Sequence, residues 1–578
     1  MKTRTGWRIH RHAAALLVAA QAHVVAQTHL ATSLRADDSD RSSLIITVTD
    51  ADSARGMPCR ITVVDDRGLP ATLSIRPTSK LAARTGVVYT PDGQAKIWVP
   101  PGHYTVYASR GFEFGVSQAT LTLADGQAGT VGLAIRREVP TDGLIACDTH
   151  VHTFTHSGHG DATVEERALT LAGEGIELPI ATDHDHLTDD LAAAADRMGV
   201  RAYFTPVVGD EVTTQAGHFN AFPLPADRPA PSNRSTDWAE IFRSIRSAPG
   251  ERVVVLNHPR DLHGNFRPFA PEHFNPVTGE HKHGMNGIDA IEVINSGAMQ
   301  SDPMAPVRDW MALLNHGERI TAVGSSDSHD VARHIVGQGR TYITGGDEAP
   351  ARIDAESATH NLRAGQALVS LGLLARITVD DRFQPADLAT GLGEKLRVKV
   401  VVLGPSWTGL DRIDLFANGV SIAEERFPVE MRPGVKFIYT KEIPRPRHDV
   451  SLVAVATGPA VTAPYWPIER PYQPSSPLCT PRVMAITNPI YIDGDKDGSW
   501  TSPLVYASAV VRRTGTDPVT LIPALSTYDE SVAVQAAGLC QTAGRDVSHG
   551  DFLHQLAEAS QAVQRGFARF TATLTTMP

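Results

Sequence analysis

Five apolar runs in the middle of this 578-residue chain each end in histidine or a carboxylate. Leu144-Ile145-Ala146 leads into Cys147-Asp148-Thr149-His150-Val151-His152, and Leu178–Ala181 precedes Asp183-His184. Val207-Val208 precedes Asp210-Glu211, Val253–Leu256 precedes His258, and residues 320–323 precede Asp327-Ser328-His329. Side chains alternate along a strand, so His150 and His152 project from the same side of theirs. Two imidazoles placed this way can converge on one cation, at about 2.0–2.1 Å if it is zinc. A single His-x-His pair carries little weight in a chain with 24 histidines. Recurrence of such residues at the end of one strand after another carries much more, and histidines scattered at random over loop starts do not explain it.

From about residue 141 to 370, strand patterns alternate with helical ones. Thr163-x-x-Glu166 is a capping box opening a helix over 164–172, which Gly173 and Gly175 close. Strand candidates fall near 143, 178, 205, 253, 290, 320 and 340. Alternating β and α units predict a parallel sheet or barrel. In such barrels functional residues gather at the C-terminal strand ends, where these motifs lie. Residues 261–287 have little periodicity and carry His281-Lys282-His283. A loop of that length is either a lid or binding loop, or a disordered insertion.

The flanks read as β. Residues 43–140 hold short alternating segments separated by Asp66-Arg67-Gly68, Pro91-Asp92-Gly93 and Pro100-Pro101-Gly102, which predicts a β-sandwich. The run from Val99 to Val106 resembles the last hairpin of carboxypeptidase-regulatory-like or transthyretin-like modules. Residues 371–470 return to β character, a second β-sandwich, and 471–578 read as a Pro-rich linker followed by a terminal amphipathic helix. Asp493-x-Asp495-x-Asp497-Gly498 resembles the first half of a calcium loop, but the twelfth position is Leu504 instead of glutamate, which favours a polar turn.

A chain of this length is too long for one core, and three to four domains are expected. Its formal net charge is −11 and it has no Lys/Arg-rich run, which argues against a nucleic-acid partner. Lys2, Arg4, Arg8 and Arg11 precede a small-apolar stretch at 13–20 and cleavage-type sequences near Ala22 and Ala26. That layout predicts a secretory signal peptide over 1–26 and a periplasmic or secreted protein. No later stretch approaches the about 20 apolar residues of a membrane span, so stable membrane insertion is not expected. The four cysteines, Cys59, Cys147, Cys479 and Cys540, are far apart, and their pairing cannot be read from their spacing.

With these motifs in place, the central region resembles the polymerase-and-histidinol-phosphatase (PHP) superfamily of metallohydrolases, nearest its carbaryl-hydrolase-type branch. The resemblance covers about 141–370 and implies a distorted (β/α)7 barrel, here flanked by N-terminal and C-terminal β-sandwich domains in a multidomain α/β protein. It implies two to three divalent transition metal ions. His150 and His152 match the opening pair, Glu211 the carboxylate bridging two ions, and Asp327 the completion of the first site. His218 and His258 match ligands of the second ion, and His159, His184 and His329 those of a third. Two extra residues in the His159 loop leave His156 and Asp161 as competitors for that role. Asp183 is expected to orient a histidine ring. His263 and the remaining histidines default to surface or pocket roles.

Histidine and carboxylate ligands without thiolates suit zinc, manganese or iron. Glu211 and Asp327 would then be the catalytic carboxylates, around a metal-bridging hydroxide formed near neutral pH. The expected reaction is hydrolysis of a small-molecule ester, carboxylic or carbamate. The alternative is a phosphoester, with Arg260, Lys282 or Arg333 holding the phosphate. A reading of another class is a non-catalytic surface or carbohydrate-binding protein whose metals serve only stability.

Overall fold

A computed structural model describes residues 32–33, 42–346, 349–472 and 480–574. The expected signal peptide over 1–26 and Cys479 lie outside the described residues.

The N-terminal region is two five-stranded sheets. One is built on Cys59–Asp65 and Gly102–Ser109, the other on Ser42–Asp50, Gln94–Val99 and Ala128–Ile135. Alternate residues such as Leu44, Ile46, Val48, Ile61, Val63, Ile97 and Val106 point between the sheets and form one buried core. This unit is fastened to the central region by Arg84, whose guanidinium meets Asp161 at 2.9 Å and Glu166 at 2.8 Å. Cys59, Cys147 and Cys540 are buried free thiols.

The central region does not form the expected (β/α)7 barrel. Its strands divide between two sheets. Leu144–Val151, Leu178–Ala181 and Val207–Val208 are parallel neighbours, but Arg340–Thr344 joins the first of them antiparallel. Ala367–Leu371, Arg482–Thr487 and Val450–Pro459 carry the same sheet onward into the C-terminal β region, giving eleven strands in all. The second sheet starts with the hairpin Asp210–Thr214 and Gly217–Phe222. Val253–Leu256 adds antiparallel to that hairpin, followed by Ala290–Asn295 and Thr321–Ser325 in parallel. Outside these ladders the isolated bridges Val151–Ser328 and His184–Glu211 join the sheets, so the strands curl into a half-barrel.

Two features break the (β/α)7 pattern. Gln215 and Ala216 make a two-residue turn where Thr214 pairs with Gly217, and an antiparallel hairpin needs no crossover helix. Gln-Ala lacks the Asn-Gly type of signal by which such hairpins are read from sequence. Residues 326–339 likewise run without a helix to Arg340–Thr344, which therefore returns antiparallel. Where alternation does hold, it follows the sequence. Helix Val164–Gly173 opens on Thr163 with the reciprocal Glu166 bond in place. Val207, Phe222, Val253, Val255, Ile145, Cys147 and Ile180 from the two facing sheets share one core below the strand ends.

Leu374–Val379, Lys395–Gly404 and Gly434–Pro444 form a three-stranded sheet packed on the large one in a common core. Arg482–Thr487 and Ile490–Ile492 are interior strands of that large sheet, so the segment read as a linker is structural. Five helices from Pro503 to Leu574 follow among the described residues, with a core of their own that includes Leu521, Val532, Phe552 and Phe567. No helix among the described residues is long and apolar enough to cross a membrane.

Candidate metal centre

The motif residues converge at one end of the half-barrel. His150 and His152, two apart on Leu144–Val151 and its end, are fully buried with ring centroids 4.9 Å apart. Glu211 enters from the hairpin and Asp327 from the loop after Thr321–Ser325. Four separations frame a single point. The His150 Nε2 is 3.4 Å from Glu211 Oε1 and 3.4 Å from Asp327 Oδ1; the His152 Nε2 is 3.4 Å from Glu211 Oε2 and 3.4 Å from Asp327 Oδ1. Ligand atoms on a tetrahedral ion with bonds of about 2.0–2.2 Å lie about 3.3–3.6 Å from one another, so this spacing is that of a coordination polyhedron.

Hydrogen bonds hold three of the rings from behind. The His150 Nδ1 donates to Glu292 Oε1 at 2.7 Å. The His152 Nδ1 lies 3.3 Å from Ser157 Oγ, which donates to Asp183 at 2.6 Å. The His329 Nδ1 donates to the Asp327 carbonyl at 3.0 Å. In all three rings Nε2 is buried and has no hydrogen-bond partner. Buried polar atoms are rarely left so, and each here lies within 4.8 Å of other candidate ligand atoms. Asp183 therefore orients a ring, through Ser157.

His152, His184 and His329 bring their nitrogens within 4.8 Å of one another, and the imidazoles of His150 and His258 do the same with a carboxylate oxygen of Glu211. The His184 Nδ1 is 2.8 Å from Glu211 Oε2, and the His218 Nδ1 is 3.1 Å from Glu211 Oε1. Glu211 thus stands between all the groups and is further held by the Asn257 amide at 3.0 Å. Burial alone would raise its carboxyl, but the imidazoles of His150, His184 and His218 outweigh burial and hold it well below the ordinary range. Asp327 behaves likewise, with His150, His152 and His329 overcoming burial. Burial pushes the His329 imidazole down to about 3.

His159 lies beside two of its expected partners, its ring stacked with the centroid 5.0 Å from that of His184. Its ring is exposed, with Nδ1 on the Ser157 carbonyl at 3.1 Å and the centroid 4.4 Å from that of His329. It stands at the rim of the cluster. The competitors are engaged elsewhere: His156 stacks on His186 and meets Asp190 at 3.1 Å, while Asp161 binds Arg84 and the Val331 amide.

Two contributors, His263 as a candidate ligand and Tyr472, escaped the sequence reading, whereas Glu292 ends a strand whose end could face the pocket. His263, from the 261–287 segment, joins His218 and His258 in a third convergent group, with its Nε2 unpartnered. Burial, then the neighbouring His258 and His218, depress its imidazole to about 2. The five-residue step from His258 was the available signal. Tyr472 donates to Asp327 Oδ2 at 2.9 Å from a Pro-rich stretch that has no motif character. Glu292 accepts from His150, the His258 amide, Ser325 and Asn295.

The backbone is strained at the same place. Asp185, His258 and Asp327 take φ of 53°, 25° and 52°, in the left-handed region that non-glycine residues adopt uncommonly. Buried Arg167 locks two strand ends together, donating to the His152 carbonyl and to the Ser328 carbonyl, each at 2.9 Å. A cavity of about 1600 Å³ opens from the cluster, walled by Leu69, Pro70 and Val87 of the N-terminal region and by Pro464, Pro467 and Tyr472. Of the expected phosphate-binding cations, Arg333 lines this cavity, whereas Arg260 is paired with Asp309 at 2.8 Å and Lys282 lies outside the lining.

No protein-family model matches the chain, and no curated protein matches it. Among solved structures it is similar to a glycosyl hydrolase family 2 member from Bacteroides cellulosilyticus. The TM-score there is 0.18 and the identity 11%, over 79% of this chain and 60% of that one. An FMN-binding β-glucuronidase from Facaelibacterium prausnitzii L2-6 gives a TM-score of 0.16 and 12% identity, over 78% of this chain and 73% of that one. The chain spans about three-fifths of the first of these. Overlaps this loose carry no argument about fold or activity.

Proposed function

We propose that the chain is a metal-dependent hydrolase acting on ester bonds, in keeping with the PHP-type order of its motifs. The observation that carries the reading is the set of buried, unpartnered Nε2 atoms on His150, His152 and His329, gathered around Glu211 and Asp327. His150, His152, Glu211 and Asp327 would hold one ion, His218 and His258 with His263 a second, and His184 and His329 with His152 a third. Bound zinc, manganese or iron would polarise the scissile carbonyl and lower the pKa of water from 15.7 to about 7.

The chain's own groups orient this machinery. Glu292, Asp183 through Ser157, and the Asp327 carbonyl fix the tautomers of three rings. Asn257 and Asn295 hold the two carboxylates. Tyr472 keeps its proton, because burial and the adjacent Asp327 raise its phenol well above the ordinary value, so it stays a donor at the cavity wall. The largely apolar wall favours a carboxylic or carbamate ester over a phosphoester dianion. A secretory leader and a periplasmic or secreted location belong to the same proposal.

Elemental analysis of purified protein should find two to three transition metal ions per chain; fewer than one after reconstitution would end the proposal. A screen of p-nitrophenyl esters, aryl carbamates and p-nitrophenyl phosphate should show the first two turned over and the phosphate spared. Tyr472→Phe removes one donor to Asp327 and should lower kcat by about 10-fold with metal content unchanged. Wild-type kcat in that variant would remove Tyr472 from the site.

A further inference from the structure

The acidic segment after Ile490–Ile492 is completed by a residue far away in sequence. Val450 pairs with Ile492 at the end of an antiparallel ladder, and continuing that register places Asp449 beside Asp493. Gly494 closes the gap, because a Cβ there would sit 2.1 Å from the His448 carbonyl oxygen. As a result, oxygens of Asp449, Asp493 and Asp495 all lie within 4.8 Å of one another.

Three carboxylates this close repel, and none of them is ion-paired to a Lys, Arg or His among the described residues. Asp449 is fully buried and Asp493 is 3% exposed. Backbone amides occupy part of the group: Gly494 donates to Asp449 Oδ1 at 2.8 Å, Thr501 to Asp449 Oδ2 at 2.7 Å, and Gly498 to Asp493 Oδ2 at 3.2 Å. The Asp493 Oδ1 is buried with no hydrogen-bond partner at all. A buried carboxylate oxygen left unpaired, facing two further carboxylates, asks for a cation.

We propose that Asp449, Asp493 and Asp495 bind one calcium ion. The donors are all oxygen, which selects a hard cation, and oxygens around calcium at 2.3–2.6 Å stand at most about 5 Å apart. Asp449 takes the part of the acidic ligand that Leu504 fails to supply at the twelfth loop position. Asp497 stays outside the group, its carboxylate turned to the Ser499 amide and hydroxyl at 2.8 Å each. The ion sits where the helices meet the large sheet, for the Tyr506 hydroxyl, on helix Pro503–Thr514, donates to Asp495 Oδ2 at 2.8 Å and accepts from the Asp449 amide at 3.2 Å. Its role is to clamp the C-terminal helices to that sheet, independently of the hydrolytic centre.

The test uses the full chain passed over chelating resin, with CaCl2 and MgCl2 titrated separately by calorimetry and thermal melting. Calcium should bind with a Kd of about 10⁻³ M or tighter and raise the melting of the C-terminal region by about 4 °C or more. Asp493→Asn should weaken binding at least about 10-fold, while Asp497→Asn should change it less than about 2-fold. No calcium heat, an equal response to magnesium, or undiminished binding by Asp493→Asn overturns the assignment. Should Asp493→Asn fail to fold, terbium luminescence sensitised through Tyr506 in the wild-type chain decides the matter. Calcium must displace that signal, and a signal that is absent or not displaced overturns the proposal.

Discussion

Replacing Glu211 by glutamine should cut hydrolysis at least about 100-fold, the scale of losing a principal electrostatic contributor to a transition state. Its two oxygens face His150, His152, His184, His218 and His258 within 3.4 Å, so no other residue meets so much of the cluster. Glutamine keeps the volume but removes the negative charge and turns one acceptor into a donor aimed at imidazoles. The fold should persist, because side-chain volume is conserved and the site sits above the core shared by the two sheets. Steady-state kinetics, circular dichroism and metal analysis on the same preparation separate the possibilities. Full turnover with metals bound would place the reacting water elsewhere and remove Glu211 from the centre of the mechanism.

The site was more legible in the sequence than the fold around it. Strand ends are marked locally, by an apolar run followed by His, Asp or Glu, and eight of the expected ligands do meet at one place. The direction in which strands pair is not local. Nothing in Gln215-Ala216 announces a hairpin, and nothing near Arg340 announces an antiparallel return, so a regular alternation was read where the chain builds a half-barrel. The same limit hid Arg482–Thr487 in a stretch that looked like a linker. Its partners, Ala367–Leu371 and Val450–Pro459, are distant in the chain, and only the finished sheet gives the segment a place. His159 is placed at the rim of the cluster, its Nδ1 on the Ser157 carbonyl and its ring beside those of His184 and His329.

Glu292 shows how far the site depends on groups that never reach an ion, and removing it should be the most damaging single change to stability there. Its carboxylate is fully buried and takes four donors: His150 Nδ1 at 2.7 Å, the Ser325 hydroxyl at 2.5 Å, the His258 amide at 2.7 Å and the Asn295 amide at 2.9 Å. Burial opposes the charge, yet His150 and then His258 hold the carboxyl below its ordinary range. Truncation of one partner of such a buried pair typically costs about 3–5 kcal/mol, because the other polar groups stay behind in a dry interior. Glu292→Leu should therefore lower the unfolding free energy of the central region by that order, read from denaturant titration. Glu292→Gln should do less harm but still lose, since one of its termini would be a donor facing donors. Both should weaken metal binding by about 10–100-fold, the usual effect of freeing a ligating histidine from the group that sets its tautomer. Metal titration of Glu292→Gln is the sharper check, since it reads ring orientation instead of packing. Wild-type affinity in that variant would show that His150 is positioned by its strand alone.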